Sequence, residues 1–222
     1  MSKINKKYIC IVGSRSLACD MADKVRSVVF HLLRRGYAIG SGGAFGADLF
    51  ALKALVQLRQ CIASVIYLPS DIFSVSLPIR FWLSRFIQYG GKVVEGIASS
   101  SSPRSAYISA LFARSRALVD GSAGVVAFIS GPSKGTWFTC QYAAQHGLRV
   151  VVFASVISPS SLMLLGAGRW VPLSGLWEGS FLWVPNPSGN CKHGITFEYC
   201  SYCKRFSVGG RITHSVPYTL CC

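Results

Sequence analysis

The chain has 222 residues, of which 51% are hydrophobic and 14% charged, a composition that excludes a disordered chain and predicts one principal core with a large buried sheet. No uncharged run approaches the roughly 18 to 20 apolar residues that cross a bilayer, and Lys3, Lys6 and Lys7 lead straight into a predicted strand without a signal-peptide core. We therefore expect a cytoplasmic protein without a membrane segment. The formal charge of +15 favours a polyanionic partner over a membrane surface, although a basic surface without such a partner is the alternative.

Apolar strands and amphipathic helices alternate along the first two thirds of the chain. The run from Tyr8 to Val12 ends at Gly13, as a buried parallel strand does, and apolar residues then recur at helical spacing from Asp20 to Arg35. Further strands are predicted at residues 37–40, 64–68, 92–95, 124–128 and 149–153, with helices at 47–60, 79–89, 105–119 and 135–146. This alternation predicts an α/β fold with a parallel sheet and helices on both faces.

The pattern changes after residue 154. Glycine, proline and serine become frequent, and Trp170, Trp177 and Trp183 recur at spacings of seven and six residues. We therefore predict a folded domain at residues 1–154 and an irregular C-terminal appendage at residues 155–222.

Two glycine-rich loops each join a predicted strand to a helix, which is where backbone amides and the helix dipole bind anions. The first loop, residues 40–46, lacks the Lys-Ser/Thr ending of a Walker loop and the spacing of a dinucleotide fingerprint, so it indicates neither an ATPase nor a dehydrogenase. The second, residues 130–136, adds a lysine and hydroxyl groups. Because strands of a parallel sheet present their carboxyl ends at one edge, both loops are expected there. Arg114 and Arg116 are two residues apart on a helix and do not share a face.

Four motifs in this order resemble the DprA/Smf DNA-processing family, within the superfamily shared with the LOG phosphoribohydrolases. They are Gly13-Ser14-Arg15, the segment Gly40 to Asp48, Arg114-Ser115-Arg116, and the segment Lys134 to Thr139. The resemblance covers about residues 8 to 153 and implies a Rossmann-like domain that binds single-stranded DNA and helps to load a RecA-type recombinase. It nominates a set of phosphate- or nucleic-acid-binding residues: Ser14, Arg15, Gly42, Gly43, Gly46, Asp48, Arg114, Arg116, Lys134, Gly135 and Thr136. Phe45, in the same loop as Gly43 and Gly46, is added to this set as a base-stacking residue.

The chain departs from these relatives at three positions. DprA proteins usually have arginine at the position of Phe45 and asparagine at that of Ser115, and LOG enzymes have a catalytic glutamate at the position of Thr139. The aromatic ring of Phe45 is suited to stacking on a base, and the absence of that glutamate disfavours hydrolysis.

The first hypothesis is therefore a single-stranded DNA-binding protein without catalytic residues, acting in DNA uptake or recombination. The alternative is a nucleotide-binding or nucleotide-processing protein of the same superfamily. A homodimer is compatible with either function.

The C-terminal segment contains a second group of chemically active residues. Cys191 and His193 are followed by Cys200 and Cys203, and four such ligands in two close pairs suit a structural Zn²⁺ ion. Free thiols in an unfolded tail, or a ligand set that includes His214, Cys221 or Cys222, are the alternatives. Basic and aromatic residues interleave around these cysteines and are typical of a nucleic-acid surface, or of a small core for the tail.

Overall fold

A parallel sheet flanked by helices forms the centre of the molecule, as the computed structural model shows. The structure describes residues 8–98, 102–154 and 161–186, together with the backbone of residues 199–200 and 205–206. The parallel strands are β1 (Tyr8–Gly13), β2 (Ala38–Ser41), β3 (Val65–Tyr67), β4 (Lys92–Val94), β5 (Ser122–Ile129) and β6 (Arg149–Ala154). The helices are α1 (Met21–Arg34), α2 (Ala47–Gln57), α3 (Leu77–Gln88), α4 (Arg104–Asp120) and α5 (Lys134–Gln145). All six predicted strands and all five predicted helices are present, with ends shifted by a few residues.

The strand order creates a reversal point at the centre of the sheet. Two further strands, β7 (Gly168–Pro172) and β8 (Ser180–Pro185), join the sheet, whose order is β4-β3-β2-β1-β5-β6-β8-β7. The chain thus extends the sheet from β1 to β4 in one direction and returns to add β5 on the other side of β1. In open α/β sheets, ligands bind at the carboxyl ends of strands where the order reverses. The strand order thus predicts a binding site at the loops that follow β1 and β5.

Residues 168–185 are more regular than the sequence predicted. They form β7 (Gly168–Pro172) and β8 (Ser180–Pro185), which extend the sheet antiparallel to β6 and to each other. Trp170 lies opposite Trp183 in this pair, with the two ring centroids 5.1 Å apart, and Trp183 is buried in the core. The expectation of an irregular segment was wrong here, because short strands that contain glycine and proline do not show the long apolar runs of buried parallel strands.

Each face of the sheet has its own hydrophobic layer. Helices α1, α2 and α3 cover one face, and α2 is buried over most of its length between its two neighbours. Helices α4 and α5 cover the other face, where Leu118, Val119 and Cys140 pack on the strands. No helix within the described ranges is long and apolar enough to span a bilayer.

Candidate nucleic-acid interface

Hydrogen bonds join the loops that follow β1 and β5. The Ser14 amide donates to the carbonyl of Phe128 at 2.9 Å, and the Ser130 amide donates to the Ser14 hydroxyl at 3.0 Å. The Ser130 hydroxyl in turn donates to the carbonyl of Ser16 at 3.3 Å. The buried Ser14 side chain therefore fixes the spacing of the two loops at the reversal point of the sheet.

The glycines of the loop after β2 allow unusually close approaches. A Cβ atom on Gly42 would lie 1.4 Å from Nη1 of Arg114. The guanidinium can therefore pack against this loop only because residue 42 is glycine. Gly46 has a φ of +75°, and a Cβ there would lie 2.0 Å from the carbonyl oxygen of Ser14. The loop after β2 consequently packs against both the loop after β1 and helix α4.

A cavity of about 360 Å³ opens between these loops and helix α4. Ser14, Arg15, Asp48, Arg114, Gly135 and Thr136, all nominated from the sequence, line it. Side-chain hydroxyls are frequent in its wall, which also contains Ser16, Ser133 and Thr139. The carboxyl ends of β1 and β5 thus open into a space rich in hydrogen-bond donors.

Arg114 and Asp48 form the electrostatic centre of this wall. Their Nη1 and Oδ2 atoms are 3.7 Å apart, and only 11% of the Arg114 side chain and 5% of the Asp48 side chain are exposed. The Nε of Arg114 is buried and has no hydrogen-bond partner among the described residues. The Asp48 carboxylate also accepts the amide of Ala44 at 3.3 Å.

The charges around this pair are unbalanced. Burial raises the pKa of Asp48, although Arg114, the Ala44 amide and Arg15 all oppose that rise. Burial likewise lowers the pKa of Arg114, Asp48 raises it, and the positive charge of Arg15 lowers it further. Two guanidinium groups therefore repel each other across the cavity while one carboxylate faces them, so a bound anion would relieve the repulsion.

A second cavity, of about 210 Å³, adjoins the first. Arg15, Ala44, Leu111 and Arg114 line both spaces. The remaining wall of the second cavity is mainly apolar or made of backbone: Gly42, Gly43, Phe45, Pro69, Val75, Ile79 and Tyr107, with Ser74 and Ser76. Phe45 is 44% exposed, so its ring is accessible to a planar ligand.

Two of the nominated basic residues lie outside the first cavity. Lys134 is exposed at the first residue of α5, on the rim. Arg116 is exposed on the outer surface, with its guanidinium carbon 5.5 Å from the ring centroid of Phe138. The two arginines of α4 point in different directions, as their spacing requires.

The first turn of α5 begins at the wall of the first cavity. Ser133 precedes the helix, but its side chain makes no cap hydrogen bond and instead contacts the hydroxyl of Thr136 at 2.7 Å. Amides of an uncapped first turn, together with the helix dipole, attract anions. Thr139, one turn later, is buried and donates to the carbonyl of Gly135 at 2.9 Å. Among the described residues, Asp48 is the one acidic side chain that lines either cavity.

Sequence reasoning nominated Arg114 but missed Tyr107 and Leu111 on the same helix, and it missed the segment before α3. Tyr107, Leu111 and Arg114 have the spacing i, i+4 and i+7, which places them on one helical face, and all three line the second cavity. That spacing is visible in the sequence. Residues 74–76 reach the cavity through tertiary packing, for which no local pattern exists.

The proposed zinc ligands fall almost entirely outside the described residues. Cys191, His193 and Cys203 belong to that part, and Cys200 is described only as the last residue of the short strand β9 (Tyr199–Cys200), paired with β10 (Arg205–Phe206). Within the described ranges, no group of three His, Cys, Asp or Glu side chains is placed to hold a metal ion.

The chain is similar to several known proteins. Protein Smf of Borreliella burgdorferi is 30% identical over 145 residues, and the match covers 64% of this chain but only 44% of Smf. DNA processing protein A from Helicobacter pylori, whose structure was analysed for its single-stranded DNA binding mode, has a TM-score of 0.54 at 17% identity, with 66% of this chain and 65% of that chain covered. DprA from Streptococcus pneumoniae has a TM-score of 0.52 at 22% identity, with coverage of 68% and 52%.

The solved structures and the family sequence model support different conclusions. At such low identity, the two solved structures support the shared α/β fold. The sequence model of the DNA recombination-mediator protein A family, in contrast, matches residues 1–166, which include every strand and helix around the two cavities. The chain spans less than half the length of its Smf relative. The family model nevertheless matches 166 of its 222 residues, and the chain therefore belongs to the DNA recombination-mediator protein A family.

Proposed function

We propose that the two adjoining cavities bind single-stranded DNA, with a backbone phosphate in the first cavity. The observation that carries this proposal is the buried guanidinium of Arg114, whose Nε has no partner among the described residues and whose charge is repelled by Arg15. A buried hydrogen-bond donor without an acceptor destabilises the fold, and a ligand that accepts this hydrogen bond removes the cost. A phosphate oxygen is the natural acceptor for a guanidinium.

The surroundings of Arg114 support the same ligand. The uncapped start of α5 and the hydroxyls of Ser14 and Thr136 offer neutral donors. The chain as a whole carries a formal charge of +15, which attracts nucleic acid over long distances. Family membership adds a DNA-processing role, and the Helicobacter pylori relative was studied for its binding of single-stranded DNA.

The second cavity suits the base of the same nucleotide. Its wall combines Phe45, Tyr107 and aliphatic side chains with the arginines that it shares with the first cavity. Aromatic rings stack on any base, which gives affinity without sequence preference. DprA proteins usually have arginine at the position of Phe45. In this chain, a stacking contact from Phe45 thus takes the place of that arginine's phosphate contact.

Binding of fluorescently labelled oligothymidylate, measured by anisotropy at several salt concentrations, tests the proposal. We expect affinity to fall steeply as salt rises, because contacts to several phosphates release counterions. Arg114→Ala should lower the affinity about tenfold or more. Arg149→Ala is the matched control, since Arg149 is exposed at the start of β6, on the opposite edge of the sheet. Affinity that is independent of salt, or equal losses in both variants, would contradict the proposal.

A free nucleotide is the second candidate ligand. The two cavities, of about 360 and 210 Å³, have the size of a pocket for one small molecule. Competition of the labelled oligonucleotide with nucleoside monophosphates separates the two ligands. Displacement at micromolar nucleotide concentration would favour the nucleotide-binding function.

Three further features complete the proposal. The site acts by binding and not by hydrolysis, since Thr139 occupies the position of the catalytic glutamate and Asp48 is paired with Arg114. Cys191, His193, Cys200 and Cys203 hold a structural Zn²⁺ ion, for which two thiolate-rich pairs are a suitable donor set. Loading of a RecA-type recombinase is a prediction from the resemblance, and a homodimer is compatible with either candidate function.

A further inference from the structure

The surface beside the second cavity exposes an unusual number of large apolar side chains. Phe73, in a 3₁₀ turn at Ile72–Ser74, is 76% exposed, and Leu77 and Phe81 on α3 are 74% and 52% exposed. Leu77, Phe81 and Arg85 have the spacing i, i+4 and i+8, so they lie on one face of the helix. We call the surface formed by Phe73, Leu77, Phe81 and Arg85 the α3 surface.

Each aromatic ring of this region is paired with a cation. The guanidinium carbon of Arg80 lies 5.8 Å from the ring centroid of Phe73, and that of Arg85 lies 4.7 Å from the centroid of Phe81. On the adjoining helix, the Lys53 ammonium lies 5.7 Å from the ring of Trp82. Proteins that bind single-stranded nucleic acid combine aromatic rings, on which bases stack, with basic side chains that contact phosphates. The alternating rings and cations of this region have that composition.

Hydrogen bonds hold the backbone of the turn that contains Phe73. The Asp71 carboxylate accepts the amides of Phe73 and Ser74 at 2.8 and 2.9 Å, which caps the turn. Arg80 donates to the carbonyl of Phe73 from the other side. The two acidic groups of this region, Asp71 and Glu95, are both engaged with backbone amides of the turn. The backbone of Phe73 is therefore held in place, and its exposed ring has the guanidinium of Arg80 beside it.

The α3 surface is continuous with the proposed DNA site. Ser74, Val75 and Ser76, which connect Phe73 to α3, line the second cavity together with Phe45. Because α3 follows the parallel strand β3, it begins at the carboxyl edge of the sheet, next to the cavities, and runs away from them. A DNA strand that leaves the second cavity on this side passes Phe73 first, then Leu77 at the start of α3, and then Phe81 one helical turn after Leu77.

We propose that the α3 surface is a second contact region for single-stranded DNA, which takes the nucleotides beyond those bound in the cavities. This inference rests on the proposed function. It implies that affinity depends on oligonucleotide length, because an oligonucleotide that only fills the cavities does not reach Phe73 and Phe81.

The test compares oligothymidylates of about 4 and about 20 nucleotides, which bracket the usual site sizes for single strands. We expect the parent chain to bind the longer one more tightly. The double variant Phe73→Ala/Phe81→Ala should lose about tenfold or more of the affinity for the longer oligonucleotide and keep its affinity for the shorter one. The variant Phe73→Tyr/Phe81→Tyr retains both rings and should restore the parent's affinity.

Phe30→Ala is the matched control. Phe30 is 47% exposed on α1 and has the Arg34 guanidinium 5.8 Å from its ring. It lies nine residues into a helix that runs away from the cavities, about 13 Å along the axis. Its loss should leave both affinities unchanged. An equal loss in Phe30→Ala, or full affinity of the Phe73→Ala/Phe81→Ala variant for the longer oligonucleotide, would overturn the inference.

The remaining outcomes separate this inference from the proposed function. If the parent binds both oligonucleotides equally well, the cavities bind DNA but the α3 surface does not. If the parent binds neither, the proposed function and the inference fail together. Sedimentation of the protein alone adds a last distinction, since a change of oligomeric state in the Phe73→Ala/Phe81→Ala variant with unchanged DNA affinities would make the α3 surface a protein interface instead.

Discussion

The guanidinium of Arg114 and the carboxylate of Asp48 meet at 3.7 Å on a buried wall that faces the first cavity. Removing either side chain leaves the other as a buried charge without a counter-charge. This change typically lowers the free energy of unfolding by about 3 kcal/mol or more. We predict that Asp48→Asn and Arg114→Met each lower the free energy of unfolding by about this amount. The double variant should be more stable than the sum of the two losses implies. Urea denaturation measures all four proteins, and additive losses would contradict the coupling.

Gly42 determines where the Arg114 side chain can lie. Because a Cβ atom on Gly42 would stand 1.4 Å from Nη1 of Arg114, Gly42→Ala should displace the guanidinium and weaken binding of single-stranded DNA about as much as Arg114→Ala does. Anisotropy titrations of both variants and of the double variant check the mechanism. In the Arg114→Ala background, adding Gly42→Ala should have no further effect on affinity. A further loss would mean that Gly42 contacts the ligand by itself.

This pair also shows how far sequence reasoning reaches. The apolar run of β1 and the helical spacing in α1 are local patterns, so the α/β fold followed from the sequence. The contact between Gly42 and Arg114 joins residues 72 positions apart through tertiary packing, and no local pattern contains it. The nomination of both residues came from the ordered motifs of the family, without the geometry that links them.

The same limit explains the elements that were missed. β7 and β8 complete the sheet by antiparallel pairing, and their burial comes from Trp183 packing on the core. The α3 surface was not foreseen, since a helix predicted from its apolar positions gives no sign that Leu77 and Phe81 remain exposed.

Phe45 offers a direct test of stacking against phosphate contact. Related DprA proteins usually have arginine at this position, and in this chain the ring lies on the wall of the second cavity. Phe45→Arg should add about one phosphate contact and steepen the dependence of log K on log salt by about one unit. Phe45→Ala should weaken binding at every salt concentration while leaving the slope unchanged. Identical slopes for Phe45→Arg and the parent would contradict a phosphate near this position.

Thr139 determines what we expect of catalysis. Its hydroxyl donates to the carbonyl of Gly135 inside α5, and no carboxylate other than Asp48 lines the cavities among the described residues. We therefore predict no release of free base from nucleoside monophosphates. Thr139→Glu should not create this activity by itself, because the remaining catalytic surroundings are absent from the sequence pattern. Chromatographic detection of free adenine or cytosine above a control without protein would contradict a function limited to binding.

Zinc analysis tests the C-terminal proposal independently of DNA. We predict one Zn²⁺ ion per chain, bound by Cys191, His193, Cys200 and Cys203, because two close pairs of soft ligands are suited to tetrahedral coordination. Cys200→Ser should release the metal and expose the chain beyond about residue 185 to proteases, since metal binding and folding are coupled in small metal sites. The melting of the α/β body should stay unchanged, because its core lies elsewhere.

Cys19→Ser is the matched control for this prediction, since Cys19 is an exposed free thiol of the body and should have no effect on metal content. If Cys200→Ser keeps its zinc while a variant with both Cys221→Ser and Cys222→Ser loses it, the metal is real and the ligand assignment is wrong. If the parent chain carries no metal and is already cleaved beyond about residue 185, the zinc proposal fails, because metal coordination and protease resistance are expected together.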